Sequence, residues 1–134
     1  MIAVDTSVVV AASASWHEGH ASAATAVRGA PRIPAHALIE TCSVLTRLPP
    51  PHRAPPALVA AFLSERFSQA PLALPPVEHL RLLELVAALG IAGGSVHDAL
   101  LGATVKHARG RLLTRDGRAA PTYERVGVTI EVLA

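Results

Sequence analysis

The chain has 134 residues, of which 51% are hydrophobic and 3% aromatic, and its formal net charge is +2 at pH 7. This length allows one core and excludes two domains of ordinary size. Because no apolar stretch reaches the roughly 18 residues of a membrane span and the single cysteine, Cys42, cannot form an internal disulfide, we expect one cytoplasmic domain over residues 1–134.

The first half of the chain alternates short apolar runs with helical patterns. In chain order the predicted elements are a strand MIAVD, a helix TSVVVAASA, a helix in HEGHASAATAVRG that stops at Gly29, a minimal strand PRIP, and a helix AHALIETCSVLTRL closed by the proline run at 49–51.

The second half continues this alternation. Its predicted elements are a helix ALVAAFLSERFSQ, a strand PLALP, a helix VEHLRLLELVAALG ended by Gly90, a helix SVHDALLGATVKHAR, a strand RLLT, a turn-rich connection DGRAAPTYERVG, and a last strand VTIEVL. Strands that alternate with helices predict an α/β fold with a parallel sheet covered on both faces.

Acidic residues follow the strands of this predicted sheet. The chain has only three aspartates: Asp5 ends the first strand, Asp98 opens the helix before RLLT, and Asp116 follows RLLT. Glu40 lies early in the helix after PRIP. Because ligands of open α/β sheets bind outside the carboxyl ends of the strands, we expect at least Asp5, Glu40 and Asp116 to meet at one edge.

Each acid also has a purely structural interpretation. Asp5 could cap the helix that follows it, and Asp116-Gly117 is a turn dipeptide. Ser95 and Asp98 have the spacing of a capping box. Glu40 could be a helical surface acid that pairs with Arg47.

Taken together, the four acids favour a metal site. Carboxylates about 4 Å apart repel by roughly 4 kcal/mol per pair at an effective dielectric near 20, and a hard divalent cation removes that repulsion. Mg²⁺ and Mn²⁺ take oxygen ligands and are typically held by a few carboxylates together with substrate phosphates. Thr6 and Thr114 are candidates for orienting a water beside the ion. No His pair has zinc-ligand spacing with Cys42.

Basic residues are concentrated near the end of the chain. Six of the twelve lie between positions 106 and 125: Lys106, Arg109, Arg111, Arg115, Arg118 and Arg125. Such a cluster suits a polyanion such as nucleic acid, and a solvated surface is an equal alternative on charge alone.

Four segments in order make the chain resemble a PIN-domain ribonuclease, specifically a VapC-type toxin of a bacterial toxin–antitoxin pair. They are MIAVDTSVVVAA, ALIETCSVLTRL, SVHDALLGATVKHARGRLLTRDGRA and YERVGVTIEVL. The family's acidic cluster then falls on Asp5, Glu40, Asp98 and Asp116, with Thr114 at the hydroxyl position before the last acid and Thr6 after the first.

The resemblance implies a three-layer α/β/α sandwich with a short, mainly parallel sheet. It also implies an Mg²⁺- or Mn²⁺-dependent endoribonuclease, a homodimer, and inhibition by a VapB-like antitoxin that lays an apolar segment over the helices. In this hypothesis Asp5, Asp98 and Asp116 hold the ion, Glu40 binds at its periphery or deprotonates the attacking water, and Arg115 and Arg118 position the RNA backbone.

Two rival functions remain at this point. The same fold could be an inactive module that binds RNA or protein through its basic segment. The second rival function is that of a phosphatase with Asp5 as an aspartyl nucleophile. Such enzymes usually carry a second Asp two residues later, where this chain has Ser7.

Overall fold

Three parallel strands form the centre of the protein, as described by a computed structural model that covers residues 1–134. They are β1 (Ile2–Val4), β2 (Arg111–Thr114) and β3 (Thr129–Val132), in the order β1-β2-β3. Side chains of successive strand residues point to opposite faces of a sheet. Ala3 and Val4, like Leu112 and Leu113, are all buried, so both faces of this sheet are covered. The expected three-layer α/β/α arrangement is therefore confirmed.

The two predicted proline-flanked strands are reduced to single bridges. Ala3 pairs with Arg32 and Pro34 pairs with Leu72, both in parallel. PRIP and PLALP therefore extend the sheet beyond β1, but neither forms a full strand. Proline has no N–H to donate to a ladder, which limits pairing in segments that begin and end with proline.

Seven helices surround the sheet. They are α1 (Thr6–Ser13), α2 (His20–Arg28), α3 (Ala35–Thr46), α4 (Pro56–Arg66), α5 (Pro76–Leu89), α6 (Ser95–His107) and α7 (Ala120–Val126). Proline begins α4 and α5, where the missing N–H is not needed. Gly90 ends α5 in the left-handed conformation, at φ 68°.

The helix α7 corrects the sequence analysis, which predicted only a turn-rich connection in DGRAAPTYERVG. Pro121 lies in the first turn of α7, where proline is tolerated, and Gly127 ends the helix at φ 95°. The inward side of this short helix buries Thr122, Tyr123 and Val126. Burial of that side, rather than the turn residues that flank it, determines the local structure.

Two apolar clusters stabilise the fold. The larger lies around the sheet and is built mainly from Ala, Val and Leu, as the composition predicts. The smaller lies between α5, α6 and α7 and includes Leu82, Val86 and Ala99. No helix in the structure has the length and apolar character that crossing a membrane would require.

Candidate active site

The four predicted acids line one cleft at the carboxyl edge of the sheet. Asp5 follows β1 directly, and Asp116 follows β2 after one intervening residue. Because β1 and β2 are parallel, both residues leave the same edge. Glu40, in the second turn of α3, and Asp98, in the first turn of α6, complete the lining of a cavity of about 430 Å³. The expectation that these acids come together is met.

Asp5 is the buried centre of a hydrogen-bond network. Its Oδ1 accepts from the Ser7 hydroxyl at 2.5 Å and from the Val8 backbone N–H at 3.2 Å. Its Oδ2 accepts from the hydroxyls of Thr114 and Tyr123, the latter at 2.9 Å. Burial raises the pKa of Asp5 above its ordinary value, and these four hydrogen bonds act in the opposite direction.

The same network joins the ends of β1 and β2. The Ser7 hydroxyl, which donates to Asp5, accepts from the backbone N–H of Arg115 at 2.8 Å. The Thr114 hydroxyl, which also donates to Asp5, accepts from the backbone N–H of Asp116 at 3.0 Å. These contacts fix where the chain turns after β2, and so they fix the position of Asp116 relative to Asp5.

Asp98 is the carboxylate most perturbed by its neighbours' charges. Partial burial and repulsion from Asp116, Glu40 and Asp5 raise the pKa of Asp98 to about 6, against a weaker opposite effect of His97. No hydrogen bond contributes to its pKa. A cation that enters the cleft would stabilise the ionised form of a carboxylate that is repelled in this way.

The structural interpretations of the acids have different outcomes. Asp5 does cap α1 through Val8, and Asp116 Oδ1 accepts from the backbone N–H groups of Arg118 and Ala119 as in a turn. The predicted capping box of Asp98 is wrong, because α6 begins after Gly94 and has no side-chain cap.

The predicted pairing of Glu40 with Arg47 is also wrong. Arg47 instead donates to the Ser43 hydroxyl, one turn earlier on α3. Glu40 points into the cleft, and its Oε1 lies 3.0 Å from Nε2 of His36. The His36 N–H is not directed at that oxygen, however, so Oε1 is buried without a hydrogen-bond partner.

The basic cluster of the sequence does not form one surface at the cleft. Of its six residues only Arg115 and Arg118 line the cavity. Lys106 donates to the Val126 carbonyl, Arg111 pairs with Glu131 at 3.5 Å, and Arg125 donates to the Leu89 carbonyl. The positive charge available to a ligand in the cleft is therefore limited to two arginines.

Comparison with known proteins decides the family. The family model of the PIN domain matches residues 2–125 of this chain. The chain belongs to the PIN-domain family. It is 49% identical over 133 residues to Ribonuclease VapC40 of Mycobacterium tuberculosis, in strains CDC 1551 / Oshkosh and ATCC 25618 / H37Rv, covering 99% of both chains. It is also 43% identical over 135 residues to Ribonuclease VapC27 of strain H37Rv, covering 99% of this chain and 97% of the relative. The predicted resemblance to VapC-type PIN proteins is thereby confirmed.

The donor atoms of this PIN-domain cleft fit a hard divalent cation. Four carboxylates line the cleft. Two oxygen atoms, Glu40 Oε1 and Thr6 Oγ1, belong to residues of the cleft and are buried without hydrogen-bond partners. No three acidic, histidine or cysteine side chains are arranged so that they could hold one metal ion together. Asp5 is further constrained, because each of its oxygens already accepts two hydrogen bonds.

Two contributors to the PIN-domain site were not identified from the sequence. Tyr123 donates to Asp5 from within α7, and Ser7, which was not among the predicted site residues, links Asp5 to Arg115. The position of Ser7 two residues after Asp5 was a usable signal. Tyr123 gave none beyond being the only tyrosine in the chain, since its partner lies 118 residues away.

Proposed function

We propose that this protein, as one PIN-like domain over residues 1–134, is a cytoplasmic endoribonuclease toxin that needs a divalent cation and is held inactive by an antitoxin. One observation carries the proposal: carboxylates from four separate segments line one cleft, where partial burial together with the charges of the other three raises the pKa of Asp98 to about 6. The relatives named Ribonuclease VapC40 and VapC27 support the same activity.

The cation in this proposal is Mg²⁺ or Mn²⁺. Asp98 and Asp116 would hold it directly, with Asp5 acting through a water or after one hydroxyl donor moves away. When bound, the ion would supply positive charge that stabilises the phosphate during cleavage and makes a neighbouring water more acidic. The four acids offer only oxygen atoms as ligands. An all-oxygen ligand set favours these hard cations over zinc, which is commonly bound by nitrogen and sulfur.

The residues around the acids have separate roles in the proposed reaction. Glu40, whose Oε1 has no hydrogen-bond partner, would accept the proton of the water that attacks phosphorus. Thr6, with an unpartnered hydroxyl in the cleft, would orient that water. Thr114 would act indirectly by holding Asp5. Arg115 and Arg118 would bind the RNA phosphates without selecting a sequence.

The antitoxin of this proposal would be a small VapB-like protein with an apolar segment and a basic side chain. An apolar groove of about 280 Å³ lies between α1, α3 and α4, and Trp16, Leu48 and Phe62 line it. His17, the next residue after Trp16, lines the acidic cleft. One partner could therefore fill the groove and present a cation to the acids. Copurification with the product of a neighbouring small reading frame, lost in Leu48→Asp, tests this.

We also propose that the protein is a homodimer, as the family resemblance implies. The molar mass of the purified protein in solution, measured by light scattering, decides between one copy and two. A mass equal to one chain of 13.9 kDa at micromolar concentration would contradict the proposal.

The ribonuclease proposal is tested by metal-dependent cleavage of RNA. We expect the purified, partner-free protein to cleave a mixture of cellular RNAs with Mn²⁺ and not with EDTA. Asp98→Asn should lose at least 100-fold in rate, because removing a group that holds charge in the transition state typically costs roughly this much. The matched control is Glu65→Gln, which neutralises an exposed acid on α4 outside the cleft.

Two results would contradict this proposal. Metal-dependent cleavage that survives Asp98→Asn would mean that Asp98 does not hold the ion, and the assignment of this site would be wrong. RNA binding that persists in EDTA and in Asp98→Asn, with no cleavage by any form, would identify the protein as a binding module on the same fold.

A further inference from the structure

The cleft is flanked by two helices that each carry one of its acids. Glu40 lies on α3 and Asp98 on α6. The charge of Glu40 contributes to the raised pKa of Asp98, so the two carboxylates repel each other across the cleft. Without a cation, this repulsion acts to separate the two helices at the point where the acids need a defined spacing.

A pair of histidines joins the same two helices. Nε2 of His36 on α3 lies 3.1 Å from Nδ1 of His97 on α6, in hydrogen-bonding geometry. The ring planes are parallel to within 3°, and the ring centroids lie 5.1 Å apart. This is the one side-chain hydrogen bond between α3 and α6.

Each histidine is also next to an acid of the cleft. His36 lies one helical turn before Glu40, with its Nε2 3.0 Å from Glu40 Oε1. His97 immediately precedes Asp98. Neither histidine lines the cavity itself. The pair is therefore placed to act on the acids and not on a ligand in the cleft.

We propose that the His36–His97 hydrogen bond is a clamp that holds Glu40 and Asp98 at the separation needed to bind a divalent cation. The proposal rests on the function proposed above and assigns both histidines as positioning residues. The clamp opposes the repulsion between the acids in the cation-free protein. The separation of Glu40 and Asp98 is then already correct before a cation binds. No part of the binding free energy is needed to draw α3 and α6 together.

The test is the dissociation constant of Mn²⁺ for the full chain, measured by titration calorimetry without RNA. We expect His36→Ala and His97→Ala each to weaken Mn²⁺ binding about 10-fold, the lower end for groups that orient metal ligands. The double variant His36→Ala/His97→Ala should be no weaker than either single variant, because both changes remove the same bond. His79→Ala, on the exposed side of α5, is the control for loss of a histidine outside the cleft.

A rescue pair separates the clamp from other roles. The amide nitrogen of Gln stands near the position of His Nε2, and the amide oxygen of Asn stands near His Nδ1. We expect His36→Gln/His97→Asn to keep the interhelix bond and to bind Mn²⁺ within about threefold of wild type. Both sites are at least partly exposed, so these variants should fold, and melting in EDTA checks that they do.

The possible results are distinguishable. Wild-type affinity in the alanine variants, additive losses in the double variant, or no recovery in the rescue pair would each overturn the clamp, the last two because they indicate direct ligation by histidine. If wild type itself does not bind Mn²⁺, the proposed function fails, and the clamp fails with it. Binding by wild type with unchanged variants overturns the clamp alone.

Discussion

The Tyr123 hydroxyl donates a hydrogen bond of 2.9 Å to Oδ2 of Asp5, and both side chains are buried. Desolvation, followed by the charge of Asp5, raises the pKa of Tyr123, so the phenol keeps its proton and remains a donor at all ordinary pH values. The bond connects α7 to the end of β1 and lowers the pKa of Asp5, against the larger effect of burial.

Removing this hydroxyl should destabilise the protein without leaving a large cavity. We expect Tyr123→Phe to lower the free energy of unfolding by about 2 kcal/mol at pH 7, as for a buried acceptor that loses one of its donors. Urea denaturation measures the change. In an Asp5→Asn background the same substitution should lower the free energy clearly less, since the carboxyl acceptor is then already gone. An equal loss in both backgrounds would mean that packing, and not the bond to Asp5, is responsible.

The raised pKa of Asp98 makes the stability of the metal-free protein depend on pH. The pKa of the Asp98 carboxyl is about 3.8 in the unfolded chain and about 6 in the folded protein, so the folded state holds the proton more tightly. Its ionisation therefore lowers stability as pH rises through this interval. Below about pH 4 the carboxyl is neutral in both states, and above about pH 6 the full loss is present.

Asp98→Asn should show this dependence directly in thermal melts with EDTA. We expect the variant to melt a few degrees higher than wild type at pH 7, and this difference should shrink as pH falls through 6 and disappear near pH 4. Excess Mn²⁺ should raise the melting temperature of wild type but not of the variant and so narrow the difference at pH 7, because wild type gains about 1.4 kcal/mol when the ion is at ten times its dissociation constant. A difference that does not vary with pH would show that the carboxylate is not repelled in the folded state.

Much of the fold followed from patterns within short segments. The apolar runs MIAVD and RLLT and the helices bounded by Pro49 or Gly90 are local features, and the structure confirms them. The short helix α7 was missed because Asp-Gly and Pro121 suggested a turn, whereas its stability comes from burial against α6 and β3. The placement of Asp5 and Asp116 at one edge followed from the parallel order of β1 and β2, whereas Asp98 was assigned to the cluster with the help of the family resemblance. Their hydrogen-bond partners could not be predicted, since contacts such as Asp5 with Tyr123 span the whole chain.

Gly19 allows Arg115 to reach the cleft. A Cβ added at Gly19 would overlap the Arg115 guanidinium, which is the flexible end of its side chain and must move. The backbone of Gly19, at φ −90°, accepts alanine without strain. We therefore expect Gly19→Ala to fold normally and to weaken RNA binding about as much as Arg115→Ala does.

Fluorescence anisotropy with labelled RNA measures this effect, in an Asp98→Asn background that prevents cleavage. Gly117→Ala, between two residues that line the cleft, is the matched control, because its Cβ would meet nothing within 4 Å. If Gly19→Ala binds RNA as tightly as the parent does, Arg115 does not contact RNA from the position it has in the structure.

Arg118 offers a separate test of phosphate binding. Its side chain is 96% exposed, and its Nε lies 3.7 Å from Asp116 Oδ1, so removing it should not affect stability. We expect Arg118→Ala to weaken RNA binding similarly for unrelated sequences and to reduce the slope of log affinity against log salt by about 0.7, the value for one phosphate contact on a single strand. A change confined to one RNA sequence would instead assign Arg118 to base recognition.

The hydrogen bonds around Asp5 join residues that are far apart in the order of synthesis. Thr114 lies 109 residues after Asp5, and Tyr123 lies 118 residues after it. A nascent chain on the ribosome cannot form this network until Tyr123 has left the exit tunnel. Asp5, at the end of β1, therefore lacks its partners from β2 and α7 until those segments have been synthesised. A nuclease assembled in this way would have no complete cleft while the codons between Asp5 and Tyr123 of its own messenger RNA are being translated.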